Sequence, residues 1–245
     1  MRREPSKLDE LMDIVTEEDT FTLNNFLLSN PDLDINTGDY FNRTALHCAS
    51  DNNFIAIRMV SFLLRKGANP NVITTDKLLD TPLINVLKNP SIRDLGAHHT
   101  VSLLIEKNVD VNQTSRFLET PLMAAVVHFR REFDESVSLL INAGAKLDAE
   151  DHQGATALTK AILYIQYEHV FTLLEAGATV KANDLICAEE KVEENKFNVN
   201  LDDAKRILKV VKAKYEFQQL SAVAAISTGT YSQSSNTNTR TRTRL

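Results

Sequence analysis

The amino-acid sequence predicts an all-α solenoid of stacked helix-turn-helix units joined by short β-turns. The first observation is a sequence motif that occurs twice in similar form: KLLDTPLINVL begins at Lys77 and RFLETPLMAAV begins at Arg116. The second is a period of 37, 39 and 36 residues between four threonines. These threonines are Thr44, Thr81, Thr120 and Thr156. Self-similarity at such a period is typical of repeat arrays, in which each unit contacts mainly its neighbours.

Each unit predicts two helices. A short apolar segment follows the threonine, and a pair of leucines comes after a polar stretch. The pairs are Leu63-Leu64, Leu103-Leu104, Leu139-Leu140 and Leu173-Leu174. Apolar residues at helical spacing on both sides of a polar break indicate two short helices packed as a hairpin. Because one hairpin cannot bury its apolar face alone, we expect the units to stack.

The helix ends are also predicted. Threonine before proline marks a helix start, because its oxygen caps free amide groups and proline fits the first turn. Glycine or asparagine behind the leucine pair supplies the left-handed residue that ends the second helix. In this register Leu83 and Leu122, the leucines of the two Thr-Pro-Leu phrases, belong to the buried core.

These residues resemble the ankyrin repeats, whose pattern is D-x-x-G-x-T-P-L-H-x-A-A, two helices, then L-L-x-x-G-A-D-V-N. The family joins its units by a β-turn that is called a finger. The best matches are Thr44-Ala45-Leu46-His47 and Gly67-Ala68-Asn69-Pro70-Asn71. The family's aspartate, five positions before the threonine, is matched by Asp39, Asp76 and Asp151 and replaced by Ser115. The resemblance implies that His47 bonds the threonine hydroxyl and nearby backbone, a structural role.

The resemblance divides the chain into four parts. They are a degenerate N-terminal capping unit (1–36), four ankyrin-type repeats (37–182), a degenerate C-terminal unit with a capping helix (183–226), and a disordered tail (227–245). The capping helix is predicted within Leu201–Phe217 from an apolar stripe opposite a face of lysine and arginine. An amphipathic basic helix could instead lie on a membrane surface, and this alternative stays open.

The chain departs from the family pattern at two positions of the repeat. The threonine lies 19, 22 and 19 residues before the leucine pair in the first three units, against 17 in the fourth, so three units carry insertions. The third insertion lacks glycine and proline and predicts longer helices. Where the family has glycine in the finger, Leu79 and Leu118 would cost about 1–2 kcal/mol each in a left-handed conformation. We therefore expect a different turn in those two fingers.

Composition excludes several classes of protein. With 43% apolar and 24% charged residues, the chain has the composition of an ordinary globular protein. A net charge of −6 argues against nucleic acid as a partner, because phosphates require a basic face. No apolar run suggests a membrane span or the core of a signal peptide. Cys48 and Cys187 are expected to be free thiols, which indicates a cytoplasmic location.

Catalytic chemistry finds little support in the sequence. There is no glycine-rich phosphate loop, no nucleophile elbow and no cysteine pair at metal spacing. His98 and His99 are adjacent, so their side chains diverge, and a third metal ligand is not evident. We therefore predict no catalytic, cofactor-binding or metal site. A small regulatory enzyme that uses the long second insertion and the C-terminal region is the alternative.

The resemblance implies that a partner protein binds the concave face, which is built from the fingers and the first helices. The contact residues that it implies are Tyr40, Phe41, Arg43, Asp51, Asn52, Lys77, Leu78, Asp80, Lys88, Arg116, Phe117, Glu119, His128, His152, Gln153 and Tyr164. The position three before the threonine is apolar in three successive units: Phe41, Leu78 and Phe117, here called the apolar row. Stacked helices lie about 8–10 Å apart, so these side chains form one row. They either anchor a partner or pack on neighbouring fingers as local core.

Two further resemblances concern cell biology. Irregular arrays with insertions and few glycines resemble those that intracellular bacteria deliver into host cells, which implies an effector that acts in the host cytosol. The last residues, Thr243-Arg244-Leu245, resemble ligands of PDZ domains, which add the peptide as a strand and hold its carboxylate.

Overall fold

The computed structural model describes residues 6–17, 19–51, 56–89, 97–128, 135–196 and 200–229. The regular secondary structure of these residues is helical, which confirms the predicted fold class. The helices are α1 (Lys7–Glu17), α2 (Thr20–Ser29), α3 (Ala45–Asp51), α4 (Ala56–Arg65), α5 (Pro82–Lys88), α6 (Ala97–Glu106), α7 (Pro121–His128), α8 (Ser136–Asn142), α9 (Ala157–Leu163), α10 (Tyr167–Glu175), α11 (Ala182–Glu194) and α12 (Leu201–Gly229). They fall into two compact units, Met1–Thr179 and Val180–Leu245.

The helices of the first unit form hairpins that stack in two layers. One layer contains α1, α3, α5, α7 and α9, each packed on the next, and α2, α4, α6 and α8 pack in the same way in the other layer. Within each hairpin the two helices also contact one another. This is the predicted stack of helix-turn-helix units.

The core of the first unit lies between these layers and repeats with the sequence. The leucine two residues after each repeat threonine is fully buried. These leucines are Leu46, Leu83, Leu122 and Leu158. The second helices contribute Leu63, Leu104, Leu140 and Leu173, which are also fully buried. The predicted burial of Leu83 and Leu122 is confirmed.

Threonine begins the first helix of the repeats as the sequence predicts. The Thr81 hydroxyl oxygen accepts a hydrogen bond from the Ile84 amide at 3.2 Å, and Pro82 is the first helical residue. Thr120 accepts from the Met123 amide at the same distance. Each hydroxyl satisfies an amide that has no partner inside its helix, which stabilises a helix by about 1 kcal/mol.

In the first repeat a histidine takes part in the helix start. The Thr44 amide donates to His47 Nδ1 at 3.1 Å, and the Thr44 hydroxyl lies 2.9 Å from the same nitrogen. Nε2 therefore carries the proton, and this buried nitrogen has no hydrogen-bond partner among the described residues. Burial lowers the pKa of His47 to about 4, so the ring is neutral at pH 7. The structural role implied for His47 is confirmed.

In the four repeats, each second helix is followed by a left-handed residue, as predicted. Gly67, Asn108, Gly144 and Gly177 have φ angles of 92°, 58°, 88° and 100°. The amide after each of them returns to the helix, for example from Ala68 to the Leu63 carbonyl at 3.0 Å and from Ala145 to the Leu140 carbonyl at 3.0 Å. This pattern satisfies carbonyl groups that have no partner inside the helix.

A ladder of asparagine side chains links these helix ends from unit to unit. Asn71 accepts from the Asp110 amide at 2.7 Å and donates to the Asn108 carbonyl at 3.3 Å. Asn36 and Asn112 make the same pair of bonds to the unit that follows each of them. Asp148 accepts from the Thr179 amide at 2.9 Å at the last step. The ladder therefore sets the spacing between neighbouring units.

In the second unit α11 and α12 pack against each other. Among the described side chains of α12, the buried residues are Ala204, Ile207 and Val211, which belong to the predicted apolar stripe. The helix continues beyond the predicted end at Phe217 as far as Gly229. The predicted insertions fall largely on residues 52–55, 90–96 and 129–134, and most of the predicted tail falls on 230–245; all four segments lie outside the described residues. The predicted four-part division of the chain stays a prediction.

Candidate protein-binding site

The fingers are four tight turns of the first unit, each closed by backbone hydrogen bonds. They span residues 39–43, 74–80, 115–119 and 151–155, and the second is two residues longer than the others. In the first finger Asp39 caps the turn, because its Oδ1 accepts from the amides of Phe41 and Arg43, each at 2.9 Å. Asp76 and Asp151 cap their fingers in the same way.

The third finger lacks this cap. Ser115 replaces the aspartate, and its buried hydroxyl has no hydrogen-bond partner among the described residues. Two backbone bonds close the turn instead, from the Ser115 amide to the Glu119 carbonyl and from the Leu118 amide to the Ser115 carbonyl, each at 3.0 Å. The third finger is therefore held by its backbone.

The prediction that Leu79 and Leu118 avoid the left-handed conformation is wrong, although the second finger, which contains Leu79, closes over a longer turn than the others. Both residues adopt the left-handed conformation, with φ angles of 55° and 58°, close to the 57° of Asn42. The Asp76 carboxylate accepts a hydrogen bond from the Leu79 amide at 3.1 Å, and the backbone hydrogen bonds of the third finger hold Leu118. The turn is imposed by these bonds and by neighbouring fingers, which outweigh a local strain of about 1–2 kcal/mol.

Relief of this strain should stabilise the protein. We expect Leu118→Asn to raise the free energy of unfolding by about 1 kcal/mol, since asparagine tolerates the left-handed region. The melting temperature should rise by about 2–4 °C for a protein of this size. Asn42→Leu is the matched reverse change; it should destabilise, because it adds the strain and removes the hydrogen bond from Asn42 to the Ile73 carbonyl at 2.8 Å. A lower melting temperature for Leu118→Asn would mean that the apolar contacts of Leu118 outweigh its strain.

The apolar row lies at the finger tips and is half exposed. The exposed fractions of Phe41, Leu78 and Phe117 are 47%, 49% and 49%. Their backbone carbonyls accept hydrogen bonds from the following finger: Phe41 from Thr75, Leu78 from Arg116 and Phe117 from His152. The fingers are thus tied edge to edge through the residues of the row, which positions its side chains at regular intervals.

Sequence reasoning missed two members of this surface. The left-handed turn directs Leu79 and Leu118 outward, and they are 37% and 52% exposed beside Leu78 and Phe117. At one end of the row Tyr40 is 91% exposed, with its ring edge-on to Phe41 at 5.1 Å between centroids. The His152 ring lies 5.2 Å from that of Phe117 at the other end. Leucine at a position that favours glycine was the signal in the sequence.

Charged residues beside the row are paired with one another. Arg43 contacts Asp51 at 3.1 Å, and Lys88 bridges two units by contacting Asp80 at 3.1 Å and Glu119 at 3.0 Å. The exposed Arg43–Asp51 pair is of a kind that contributes about 0–1 kcal/mol to stability, whereas the two pairs of Lys88 are partly buried. Their main effect here is to orient the charges.

Asp80 does not lie where the sequence analysis expects it. Only 6% of the residue is exposed, because it sits at the base of its finger beneath Lys88. Burial raises the pKa of the Asp80 carboxyl, although Lys88 opposes this shift. Burial also acts on Lys88, but the carboxylates of Glu119 and Asp80 outweigh it and raise the pKa of the lysine. The Asp80 side chain is thus held within the protein.

These charged groups surround a cleft of about 440 Å³ between the first two fingers and helix α5. Its lining includes two cations, Arg43 and Lys88, and three carboxylates, Asp51, Asp76 and Asp80. Asn89 closes one side by donating from its side-chain amide to the Asp51 carbonyl at 2.7 Å. Burial raises the pKa of Asp51, and the Arg43 guanidinium partly offsets this effect.

The remaining predicted contact residues lie on the same fingers and inner helices. Lys77, Arg116 and Gln153 are exposed, His128 is the last residue of α7, and Tyr164 is 47% exposed after α9. Asn52 lies outside the described residues. The surface brings together apolar and charged side chains from four units.

The comparison with known families agrees with this geometry. The family model described as ankyrin repeats (3 copies) matches residues 11–114 and 91–184. The chain belongs to the ankyrin repeat family. The tandem hairpins, the capped fingers and the buried Thr44–His47 pair described above are the features of this chain that carry the resemblance. No match was found among curated proteins.

Ankyrin repeats indicate a protein–protein interaction module, and proteins of this family are generally non-catalytic scaffolds. In the described part of the chain, no group of three or more histidine, cysteine, aspartate or glutamate side chains is arranged to hold a metal ion. No helix of the described residues is long and apolar enough to cross a membrane.

Proposed function

We propose that this protein is a non-catalytic scaffold that binds a partner protein through the apolar row and the side chains beside it. The observation that supports the proposal most directly concerns Phe41, Leu78 and Phe117. They occupy the same position in three successive fingers, and each is about half exposed. Leu79 and Leu118 widen the same apolar strip. Interfaces commonly join an apolar centre to a polar rim, and aromatic anchors contribute most of their affinity.

The charges around the row supply the rim. Arg43, Lys88 and Glu119 are already ion-paired, so they contribute orientation and specificity more than affinity. Lys77 and Arg116 are exposed immediately before two members of the row. A partner that contacts the row would therefore meet charged side chains on both sides of an apolar strip.

Two substitutions test this proposal. We expect Phe41→Ala and Phe117→Ala each to weaken partner binding by about thirtyfold, the loss typical of an aromatic anchor. Stability should change by less than about 0.5 kcal/mol, because exposed positions make few core contacts. The measurements are the dissociation constant for a partner captured by the wild-type chain and the melting temperature of each variant.

Phe171→Ala is the matched control, since Phe171 is 42% exposed on α10 and lies outside the fingers. It should bind the partner as the wild type does. If affinity holds in the two finger variants while their melting temperatures fall by several degrees, the row is local core and the binding face lies elsewhere. Equal losses in all three variants would also contradict the proposal.

The finer predictions extend this proposal. The irregular array, with three insertions and seven glycines in the chain, supports an effector that acts in the cytosol of a host cell. The C-terminal Thr243-Arg244-Leu245 supports a contact with a PDZ domain, although these residues lie outside the described part. A regulatory enzyme stays the alternative function, because much of the long second insertion that it would use also lies outside that part.

A further inference from the structure

Among the described side chains of the second unit, the most exposed large apolar groups lie along the C-terminal half of α12. Phe217, Leu220 and Val223 are 65%, 71% and 64% exposed. They follow one another at intervals of three residues and therefore form a stripe along one side of the helix. The buried residues of the same helix, Ala204, Ile207 and Val211, belong to its other half. The stripe is separate from the packing between α11 and α12.

Basic residues occupy the same side of α12, three turns earlier. Arg206, Lys209 and Lys212 precede Phe217, Leu220 and Val223 by eleven residues each. Eleven residues are close to three full turns of an α-helix, about 16 Å along its axis. The two sets of side chains therefore share one face, with cations in the first half and apolar groups in the second.

Acidic neighbours compensate part of the positive charge of this face. Lys205, Lys209 and Lys212 are exposed, and Arg206 contacts Asp203 at 3.3 Å. Glu216 is an acid on the same side, two turns after Lys209. From Phe217 to Thr239 the sequence contains no charged residue. The apolar half can therefore leave water without burying a charge, which is the costly step for a surface that enters a lipid interface.

The two units also differ in net charge. Residues 1–179 contain 16 basic and 25 acidic residues, whereas residues 180–245 contain 11 basic and 8 acidic residues. The acidic excess of the protein thus belongs to the first unit. A negatively charged surface would attract the second unit only.

We propose that the exposed face of α12 binds the surface of a membrane with anionic lipid headgroups. Arg206, Lys209 and Lys212 contact the headgroups, and Phe217, Leu220 and Val223 enter the boundary between headgroups and acyl chains. Helices with this combination lie in the interface, where affinity depends on buried apolar area and on attraction to anionic lipid. A bilayer needs no shape complementarity, which suits a single convex helix face. A second copy of the chain would instead bring the two basic segments together in a parallel pair.

Vesicle co-sedimentation of the full-length chain tests this proposal. The protein is expected to sediment with vesicles of phosphatidylcholine and phosphatidylserine, and to stay in solution with vesicles of phosphatidylcholine alone. Lys209→Gln with Lys212→Gln should reduce partitioning by about fivefold for each lysine, the effect of one cation near an anionic surface. Phe217→Gln with Leu220→Gln should reduce it by at least about tenfold, because two apolar side chains are lost.

Two controls separate this face from the rest of the protein. Phe21→Gln removes an aromatic side chain that is 72% exposed on α2, and Lys66→Gln removes an exposed cation of the first unit. Both variants should partition like the wild type. Light scattering of the same samples without vesicles shows whether the stripe pairs two copies of the chain.

Failure of the wild-type chain to bind the anionic vesicles would overturn the proposal. Equal binding of the Phe217 and Leu220 variant, or a dimer that this variant converts to a monomer, would overturn it as well. These outcomes leave the function proposed for the fingers untouched, because none of the substitutions lies in the fingers.

Discussion

Leu122→Ala is expected to lower the free energy of unfolding by about 2–5 kcal/mol, and Leu83→Ala by a similar amount. Both leucines are fully buried in the layer of first helices, where α5 packs on α7 and α7 packs on α9. Removal of the side chain loses the favourable free energy of its transfer from water into the core. It also leaves a cavity that the close-packed neighbours fill only in part. Urea denaturation followed by circular dichroism measures the loss.

The effect should extend beyond the substituted unit. Each unit of a repeat array is stable only through its neighbours, so amide exchange should accelerate in the adjacent hairpins as well. Leu28→Ala is the matched control, because Leu28 is 68% exposed on α2 and should change stability by less than about 0.5 kcal/mol. A loss below about 1 kcal/mol for Leu122→Ala would contradict the packing described for α7.

Acidification should destabilise the protein through His47. Its pKa is about 4 in the folded chain, below the ordinary value of 6.5, because burial disfavours the charged ring. A group whose folded pKa is depressed in this way binds its proton more readily in the unfolded chain. The stabilisation is therefore complete above about pH 6.5 and is lost as the pH falls toward 4. The loss over this window is on the order of 3 kcal/mol.

Carboxyl groups also titrate in this range, so the His47 contribution needs a reference. The pKa values of Asp51 and Asp80 are raised by burial, and their protonation favours the folded chain as the pH falls. The pKa values of Asp76 and Asp151 are lowered, so the protonation of these two carboxyl groups destabilises the folded chain as the pH falls. The His47→Gln variant keeps all of these groups and removes only the histidine titration.

The measurement is the free energy of unfolding of both proteins at intervals from pH 7.5 to pH 4. The wild type should lose more stability than His47→Gln between pH 6.5 and 4, even though the variant is less stable at pH 7. A nuclear magnetic resonance titration of the His47 ring gives the folded pKa directly. Parallel stability curves for the two proteins would show that His47 is not a buried neutral histidine.

Much of the first unit was predictable from the sequence, because its repeats encode local chemistry. A threonine followed by leucine two residues later predicts both a helix start and a core position, and all four of these leucines are buried. The left-handed residues at the helix ends follow from Gly67, Gly144 and Gly177 and from Asn108, whose backbone preferences are local. Evidence of this kind needs no knowledge of neighbouring units.

The candidate site was less predictable, because it depends on contacts between units. The sequence gives the positions of Phe41, Leu78 and Phe117 in the fingers, but it does not decide whether their side chains are exposed or packed. Asp80 was expected on the surface, and its burial under Lys88 follows from a bridge to Glu119 of the next unit. Sequence patterns within one unit contain no information about such a bridge.

The sequence by itself determined the register of the repeats, the helix starts and ends, and the leucines of the core, since each depends on residues a few positions apart. Tertiary structure decided the turns at Leu79 and Leu118, where bonds to neighbouring backbone outweigh a local preference of about 1–2 kcal/mol. It also decided which half of α12 is buried and which exposes Phe217. Periodicity shows that a helix has an apolar side, whereas the extent of its neighbour decides how far along the helix that side is covered.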